Sequence, residues 1–133
     1  MHEVRHLSVS IACPPQRVYE YAADPANLAH WASGVGASIH QEDGRWLVDV
    51  PDGTQAEIRF TPRNSHGILD HEVILADGSV VPVPMRVVAN GKGAEIIFTL
   101  FRLPGMSEAE VERDLATIRE DLGRLKRILE EGR

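Results

Sequence analysis

The segment from Val9 to Trp31 places two short helices directly after one strand, and this order constrains the fold more than any other feature. An alternating apolar strand ends near Cys13, and Pro14-Pro15 then presets the backbone for a helix start. A second helix opens at Asp24-Pro25, where the aspartate is a good N-cap. The order strand, helix, helix, then strands, is therefore predicted for the first part of the chain.

Size and charge narrow the class of protein. The chain has 133 residues, close to the commonest size of one domain, so we expect a single domain over residues 1–133. Its formal net charge of −6 argues against nucleic acids and anionic membranes as partners. The start has no apolar signal core, and no apolar run approaches the ~20 residues of a membrane span. With Cys13 as the single cysteine, these features predict a cytoplasmic protein.

Four turn signals divide the middle of the chain into an antiparallel meander. Asp43-Gly44 and Asn90-Gly91 are typical of two-residue hairpin loops, and Pro51-Asp52-Gly53 and Ala76-Asp77-Gly78 of three-residue loops. Loop length fixes which residues face each other. The expected cross-strand pairs are Trp46 with Ile58, Val48 with Ala56, His71 with Val83, Val73 with Val81, Met85 with Ile96 and Val87 with Ala94.

This register separates an apolar face from a polar one, as in an antiparallel sheet with one solvated face. A further strand is expected near residues 35–41, after Gly34. Pro82 and Pro84 cannot donate ladder hydrogen bonds, so one side of their strand should be unpaired or bulged. The polar face places Arg86 opposite Glu95. The apolar face is predicted to hold Trp46, Val48, Ala56, Ile58, Phe60, Leu69, Val73, Leu75, Val83, Met85, Val87, Ile96, Phe98 and Leu100.

The last element is a long helix near residues 107–130. Ser107 and Glu110 have the spacing of a capping box. Its apolar residues form one stripe, and its length of roughly 36 Å is enough to cross a sheet. The stripe consists of Val111, Leu115, Ile118, Leu122, Leu125 and Leu129.

Four features of the sequence occur together: Pro15-x-x-Val18-Tyr19-x-Tyr21, Asp24-Pro25-x-Asn27-Leu28-x-x-Trp31, the meander and the terminal helix. In these features the chain resembles the START/SRPBCC superfamily, the helix-grip fold shared with pollen-allergen-like proteins and polyketide cyclases. The resemblance implies an α+β fold in which a curved antiparallel sheet of β-α-α-β-meander-α order wraps around the C-terminal helix, with an internal cavity. Cavities lined by apolar groups and a few polar ones bind small molecules.

His71 is the leading candidate for chemistry, since it lies on the predicted apolar face between Leu69 and Val73. A desolvated histidine could act as an acid, a base or a ligand contact, or be a core histidine with one hydrogen bond. Trp31 and Trp46 could stack on an aromatic ligand, or be plain core. The remaining predicted lining is Phe60, Met85, Phe98 and Ile118.

Charged residues form a second group of candidates. Arg102 continues the apolar face, and Asp114 and Asp121 flank the helix stripe. A pair between Arg102 and Asp114 could orient a polar ligand group or simply tie helix to sheet. Strand alternation separates His71 from Asp70 and Glu72, and His30, His40 and His66 lack metal-site spacing, so we expect no metal and no cofactor.

Three functions are therefore open. The first is binding of a hydrophobic or aromatic small molecule in the cavity between sheet and helix. The second is a cyclase, aromatase or dehydratase reaction in which His71 moves a proton and Arg102 steadies an anion. The third is a protein-interaction module that uses the outer sheet face, where Val88, Ile97 and Phe101 hint at a homodimer contact.

Overall fold

The computed structural model describes residues 1–33 and 37–132. Strands, two short helices, more strands and a long helix follow one another in the predicted order, and a short 3₁₀ helix at Pro25–Asn27 precedes α2. The elements are β1 Val4–Ile11, α1 Pro15–Ala22, α2 Leu28–Trp31, β2 His40–Glu42, β3 Arg45–Asp49, β4 Gln55–Phe60, β5 His71–Ile74, β6 Val80–Val83, β7 Met85–Asn90, β8 Gly93–Phe101 and α3 Glu108–Glu131.

The helix starts follow the local chemistry of the sequence. Pro15 occupies the first turn of α1, and Asp24 Oδ1 accepts a hydrogen bond from the Ala26 amide at 3.1 Å. At α3, the Ser107 hydroxyl accepts from the Glu110 amide while the Glu110 carboxylate accepts from the Ser107 amide, each at 3.1 Å. This reciprocal pair is the predicted capping box.

The strands form a curved antiparallel sheet that grips α3, so the predicted α+β helix-grip fold is confirmed. Its ladders run in the orders β2-β3-β4-β5-β6 and β1-β8-β7. Pro84 lies where β6 ends and β7 begins, and its carbonyl accepts a hydrogen bond from the Thr99 amide at 3.0 Å. The chain thus passes from one ladder to the other at a proline, which has no amide hydrogen for a ladder bond.

Of the three hairpins with a predicted register, two have it, and a hairpin also forms at Asp43-Gly44. Asp43 and Gly44 both have positive φ angles, and the two three-residue loops close at Gly53 and Gly78. The Asn90-Gly91 prediction was wrong by one residue on each strand. The two-residue loop is Gly91-Lys92, because Asn90 faces Gly93 and Gly91 has φ of +59° at the first loop position, as in a type II′ turn.

The shift moves each cross-strand partner by two residues and therefore leaves the faces unchanged. Met85 faces Phe98 rather than Ile96. Arg86 faces Ile97 rather than Glu95, and its ion pair is with Asp70. The strand expected near 35–41 begins at His40, and residues 34–36 lie outside the described part of the chain.

Helix α3 runs beside β1 and is tied to it at both ends. Arg5 donates to Glu108 at 3.0 Å near the start of α3. Near its end, Lys126 donates to the Ser10 carbonyl at 2.6 Å, and the Ala12 amide donates to Glu130 at 2.8 Å. Inside, the helix buries Val111, Leu115, Leu122, Leu125 and Leu129, and leaves Ile118 partly exposed.

We predict that Gly67→Ala destabilises the fold far more than Gly78→Ala. Both glycines have positive φ, +73° and +87°, but a Cβ at position 67 would overlap the Val87 carbonyl oxygen, whereas position 78 opens to free space. Chemical denaturation should show a loss of roughly 3 kcal/mol for the first variant and about 1 kcal/mol for the second. Equal losses would contradict the close approach of residue 67 to β7.

Candidate functional site

The inner face of the sheet is covered unequally. Helix α3 packs chiefly against β1 and α2, and α1 packs against β7 and β8. At that end Met85 and Ile96 are buried to 1% and 0% exposure. Val48, Ala56 and Ile58 of β3 and β4 are buried as well. Other inward apolar residues are only partly buried: Trp46, Phe60, Val73, Leu75, Phe98 and Ile118. These six side chains mark the incompletely covered part of the inner face, which we call the open half.

His71 belongs to the open half. The register places it between Phe60 and Val83 on the same face. Its ring stacks on Phe60 with centroids 4.6 Å apart and planes 23° from parallel. Its Nδ1 lies 3.0 Å from the Leu69 carbonyl oxygen. Because a carbonyl only accepts, Nδ1 carries the proton, and Nε2 of the neutral ring is left with its acceptor lone pair.

Burial lowers the pKa of His71 below its ordinary value, 6.5. The Leu69 carbonyl and the Asp70 carboxylate act in the opposite direction, since both favour the charged ring, but desolvation is the larger effect. His71 is thus neutral at pH 7. In that form Nε2 can accept a hydrogen bond from a hydroxyl or take a proton.

The side chain of Asp70 lies on the sheet face opposite to His71, and it holds the start of β5 against β7. Its carboxylate accepts a two-pronged interaction from Arg86, with Nε to Oδ1 at 2.9 Å and a terminal nitrogen to Oδ2 at 2.8 Å. Oδ1 also accepts from the Met85 amide at 2.9 Å. The Arg86 guanidinium lowers the pKa of Asp70. This lock, which the sequence did not reveal, fixes the backbone that carries His71.

Trp31 is clamped to α3 through Arg124 and Asp121. Arg124 donates to the Trp31 carbonyl at 2.8 Å and to Asp121 Oδ1 at 3.1 Å. The same carboxylate oxygen accepts from the Ser33 amide at 3.0 Å. Asp121, predicted as a ligand contact, thus holds the end of α2, and the contribution of Arg124 was missed.

Arg102 has other partners than expected. Its guanidinium donates to the Met106 carbonyl at 3.0 Å and pairs with Glu108 at 2.8 Å and Glu3 at 3.4 Å. This corrects the expected pair with Asp114. Asp114 is largely exposed on α3, although nearby protein atoms raise the pKa of its carboxyl by desolvation. The Arg102 cluster ties β8, the N-terminus and α3 together.

The other predicted lining residues fall into two groups. Met85 is buried in the core to 1% exposure and so is packing rather than lining. Trp46 on β3, Phe98 on β8 and Ile118 on α3 are partly buried and border the open half. Cys13 is buried to 1% exposure. Among residues 1–33 and 37–132, no group of three His, Cys, Asp or Glu side chains is placed to hold a metal ion.

A separate hollow of about 950 Å³ lies between α1, the loop 63–67 and β7. Tyr19 forms one wall, and its hydroxyl accepts a hydrogen bond from the Asn64 amide at 2.9 Å. Arg63 lies over the Tyr19 ring at 5.7 Å. The Asn64 side chain organises the loop by bonding to the backbone of Pro62, His66 and Ile68. Sequence reasoning missed this loop, although Asn and Gly at positions 64 and 67 are turn residues.

Solved structures share the fold at low sequence identity. DynU16, a protein of the dynemicin biosynthetic locus, superposes with a TM-score of 0.72 and 22% identity over 100% of this chain, which spans 49% of DynU16. The Aha1 dimer from Colwellia psychrerythraea gives 0.73 and 12%, covering 98% of both chains. Ara h 8.0201 gives 0.62 and 10%, covering 97% of this chain and 98% of that one.

In the described part of the chain, no helix combines the length and apolarity that a membrane span requires.

Sequence comparison identifies the family. No curated protein shows significant similarity to this chain. The sequence pattern of the family described as polyketide cyclase / dehydrase and lipid transport matches residues 1–130. The chain therefore belongs to the polyketide cyclase/dehydrase and lipid transport family.

Proposed function

We propose that the protein binds a small hydrophobic or aromatic molecule against the open half, between the inner sheet face and α3. The observation that carries the proposal is the row of inward apolar side chains that the fold leaves only partly buried, among them Phe60, Val73 and Phe98. Burying apolar surface is favourable by roughly 25 cal/mol per Å², so a ligand that buries these side chains is stabilised there. Membership of a family with polyketide and lipid substrates supports the same chemistry.

His71 gives this site its polar selectivity. The stack on Phe60 and the hydrogen bond to Leu69 fix the ring, and the neutral form keeps Nε2 as an acceptor. An acceptor set in an apolar surface favours a ligand that donates to it over one that covers it and leaves it unpaired. The preferred guest is therefore apolar with one hydroxyl group.

A cyclase-like reaction is the second candidate, and the neutral imidazole of His71 is the observation that favours it. Such a reaction needs a second titratable or anion-stabilising group near the same reacting centre. The charged groups expected there are engaged elsewhere, because Arg102 pairs with Glu108 and Asp121 pairs with Arg124. Binding without turnover is therefore the function that the geometry supports better.

The outer sheet face stays a proposed surface for self-association. Val4 and Val88 are 38% and 43% exposed there, and Ile97 and Phe101 are partly buried. The Aha1 neighbour is a dimer. Scattered apolar residues are also common on the surfaces of monomers, so this proposal ranks below ligand binding.

We predict that wild-type protein binds 2-naphthol about tenfold more tightly than 2-methylnaphthalene, because the hydroxyl donates to Nε2 of His71. His71→Phe keeps a ring that can stack on Phe60 but removes the acceptor, so the two compounds should bind equally. Isothermal titration calorimetry measures both affinities. A His6→Phe variant is the matched control, since His6 is exposed on the outer face and should keep the preference.

Two results would decide against this assignment. Failure of both naphthalenes to bind, with no thermal shift across a wider panel of apolar compounds, would reject the proposed function. Binding with an unchanged hydroxyl preference in His71→Phe would show that His71 is structural.

We also predict that His71 titrates below its ordinary pKa of 6.5. Between the folded and unfolded pKa values the unfolded chain binds more protons, so this contribution to stability is complete above about pH 6.5 and is lost as the pH falls through the folded pKa. The free energy of unfolding of the wild type should therefore fall more steeply from pH 7 to pH 5 than that of His71→Phe. NMR titration of the imidazole gives the pKa directly, and a midpoint at or above 6.5 would contradict the assignment.

A further inference from the structure

The hollow between α1, the loop 63–67 and β7 is separate from the open half, since none of the six side chains that mark the open half lines it. Its volume of about 950 Å³ is large enough for a small organic molecule. The walls combine apolar groups, among them Pro15 and Val87, with polar groups of the helix, the loop and the strand. These polar groups decide which kind of ligand the hollow can hold.

Arg63 brings an unpaired cation to the wall of the hollow. Its guanidinium lies over the Tyr19 ring, 5.7 Å from the centroid, and such a cation–π contact leaves the N–H donors unused. Within residues 1–33 and 37–132, no carboxylate or carbonyl oxygen is bonded to this guanidinium. Arg86 and Arg102, by contrast, are each paired with acids. The donors of Arg63 are therefore available to an anion.

Tyr19 and the start of α1 add neutral donors to the same hollow. The Tyr19 hydroxyl oxygen accepts from the Asn64 amide at 2.9 Å, so its own hydrogen is left to donate. Pro14, the N-cap of α1, supplies no side-chain acceptor, and the first turn of α1 holds no acidic residue. The positive end of the helix dipole at Gln16 is therefore not neutralised by α1 itself.

The edge of β7 contributes one more donor. The Val87 amide donates to the Gly67 carbonyl at 2.9 Å, so the backbone polar groups of Val87 point toward the loop and away from β8. These directions alternate along a strand of an antiparallel ladder, and Ala89 therefore points the same way as Val87. Ala89 is exposed and lines the hollow. Its amide thus faces the same space as Arg63 and Tyr19.

Glu20 is the acidic group of the hollow, and it limits the charge that a ligand can carry. Its carboxylate accepts from the side-chain amide of Gln16 at 3.3 Å. Repulsion by Glu20 grows with the negative charge of the ligand, so it opposes a phosphate dianion more than a carboxylate. The exposed ring of His66 is the remaining titratable side chain of the wall beside Tyr19 and Arg63.

We propose that this hollow is a second binding site, for a small organic monocarboxylate. The carboxylate pairs with the Arg63 guanidinium and accepts from the Tyr19 hydroxyl, while the apolar part of the ligand covers Pro15 and Val87. A guanidinium donates two parallel hydrogen bonds to a carboxylate, which a neutral amide of the same shape does not accept. The hollow therefore selects its ligand by charge, and this selection is independent of the apolar ligand that we place in the open half.

Benzoate and benzamide test this selection, since they have nearly the same shape and differ in charge. Wild-type protein should bind benzoate about fivefold more tightly, and Arg63→Gln should bind the two compounds equally. Arg119→Gln is the matched control, because it changes the net charge equally at an exposed position of α3 outside the hollow. This control should keep the preference for benzoate. NMR titration measures these affinities.

The same spectra locate the bound compound. Benzoate should shift the amide resonances of Gln16, Asn64 and Ala89, and it should leave the methyl resonances of Val73 and Ile118 in place. 2-Methylnaphthalene should bind to Arg63→Gln as it does to the wild type, because the open half lies elsewhere.

Several results would overturn the proposal while leaving ligand binding in the open half untouched. They are the absence of benzoate shifts at the hollow, equal affinities of the wild type for benzoate and benzamide, and a benzoate preference that survives in Arg63→Gln. Benzoate shifts centred on Val73 and Ile118 would show that the carboxylate enters the open half instead. Tighter binding of phenyl phosphate than of benzoate would overturn the assignment to carboxylates and the role of Glu20.

Discussion

The attachment of α3 along β1 is the constraint on which the rest of the structure depends. The ties from Arg5 to Glu108 and from Lys126 to Ser10 fix the helix at both ends of one edge strand. A straight helix held at one side of a curved sheet cannot cover its whole inner face. The buried core therefore extends from α1, β7 and β8 to Val48, Ala56 and Ile58, whereas Phe60 at the end of β4 and His71 and Val73 on β5 remain partly exposed. The attachment of α3 along β1 thus accounts both for the buried core and for the partly exposed surface that we propose binds the ligand.

One polar residue distinguishes this surface from an ordinary incomplete core. Desolvation keeps His71 neutral, and its bond to the Leu69 carbonyl leaves Nε2 as an acceptor. The stack on Phe60 holds the ring, and the Asp70–Arg86 lock holds the backbone that carries it. One acceptor on an apolar surface gives orientation to a ligand whose affinity comes mainly from burial.

The fold could be predicted from the sequence because its determinants are local. Helix caps, glycine turns and apolar periodicity each act within a few residues, and they agree with one another. The Asn90-Gly91 turn was misplaced because Asn-Gly and Gly-Lys both suit a two-residue loop. Each cross-strand partner moved by two residues, an even number, so the predicted faces of the sheet were still correct. The partners of Arg102 and the Asp70–Arg86 lock could not be predicted, because the tertiary placement of each arginine, and not a local pattern, decides which acids it meets. The sheet face on which His71 lies was predicted correctly, because strand alternation alone sets it.

The central claim is that the open half accepts an apolar guest, and xenon tests it without any assumption about the natural ligand. Xenon enters dry apolar cavities. NMR spectra under xenon pressure should show saturable shifts at the methyl groups of Val73, Leu75 and Ile118, and none at Val88 on the outer face. Absence of saturable shifts at the three inner residues, or shifts confined to the outer face, would contradict the account.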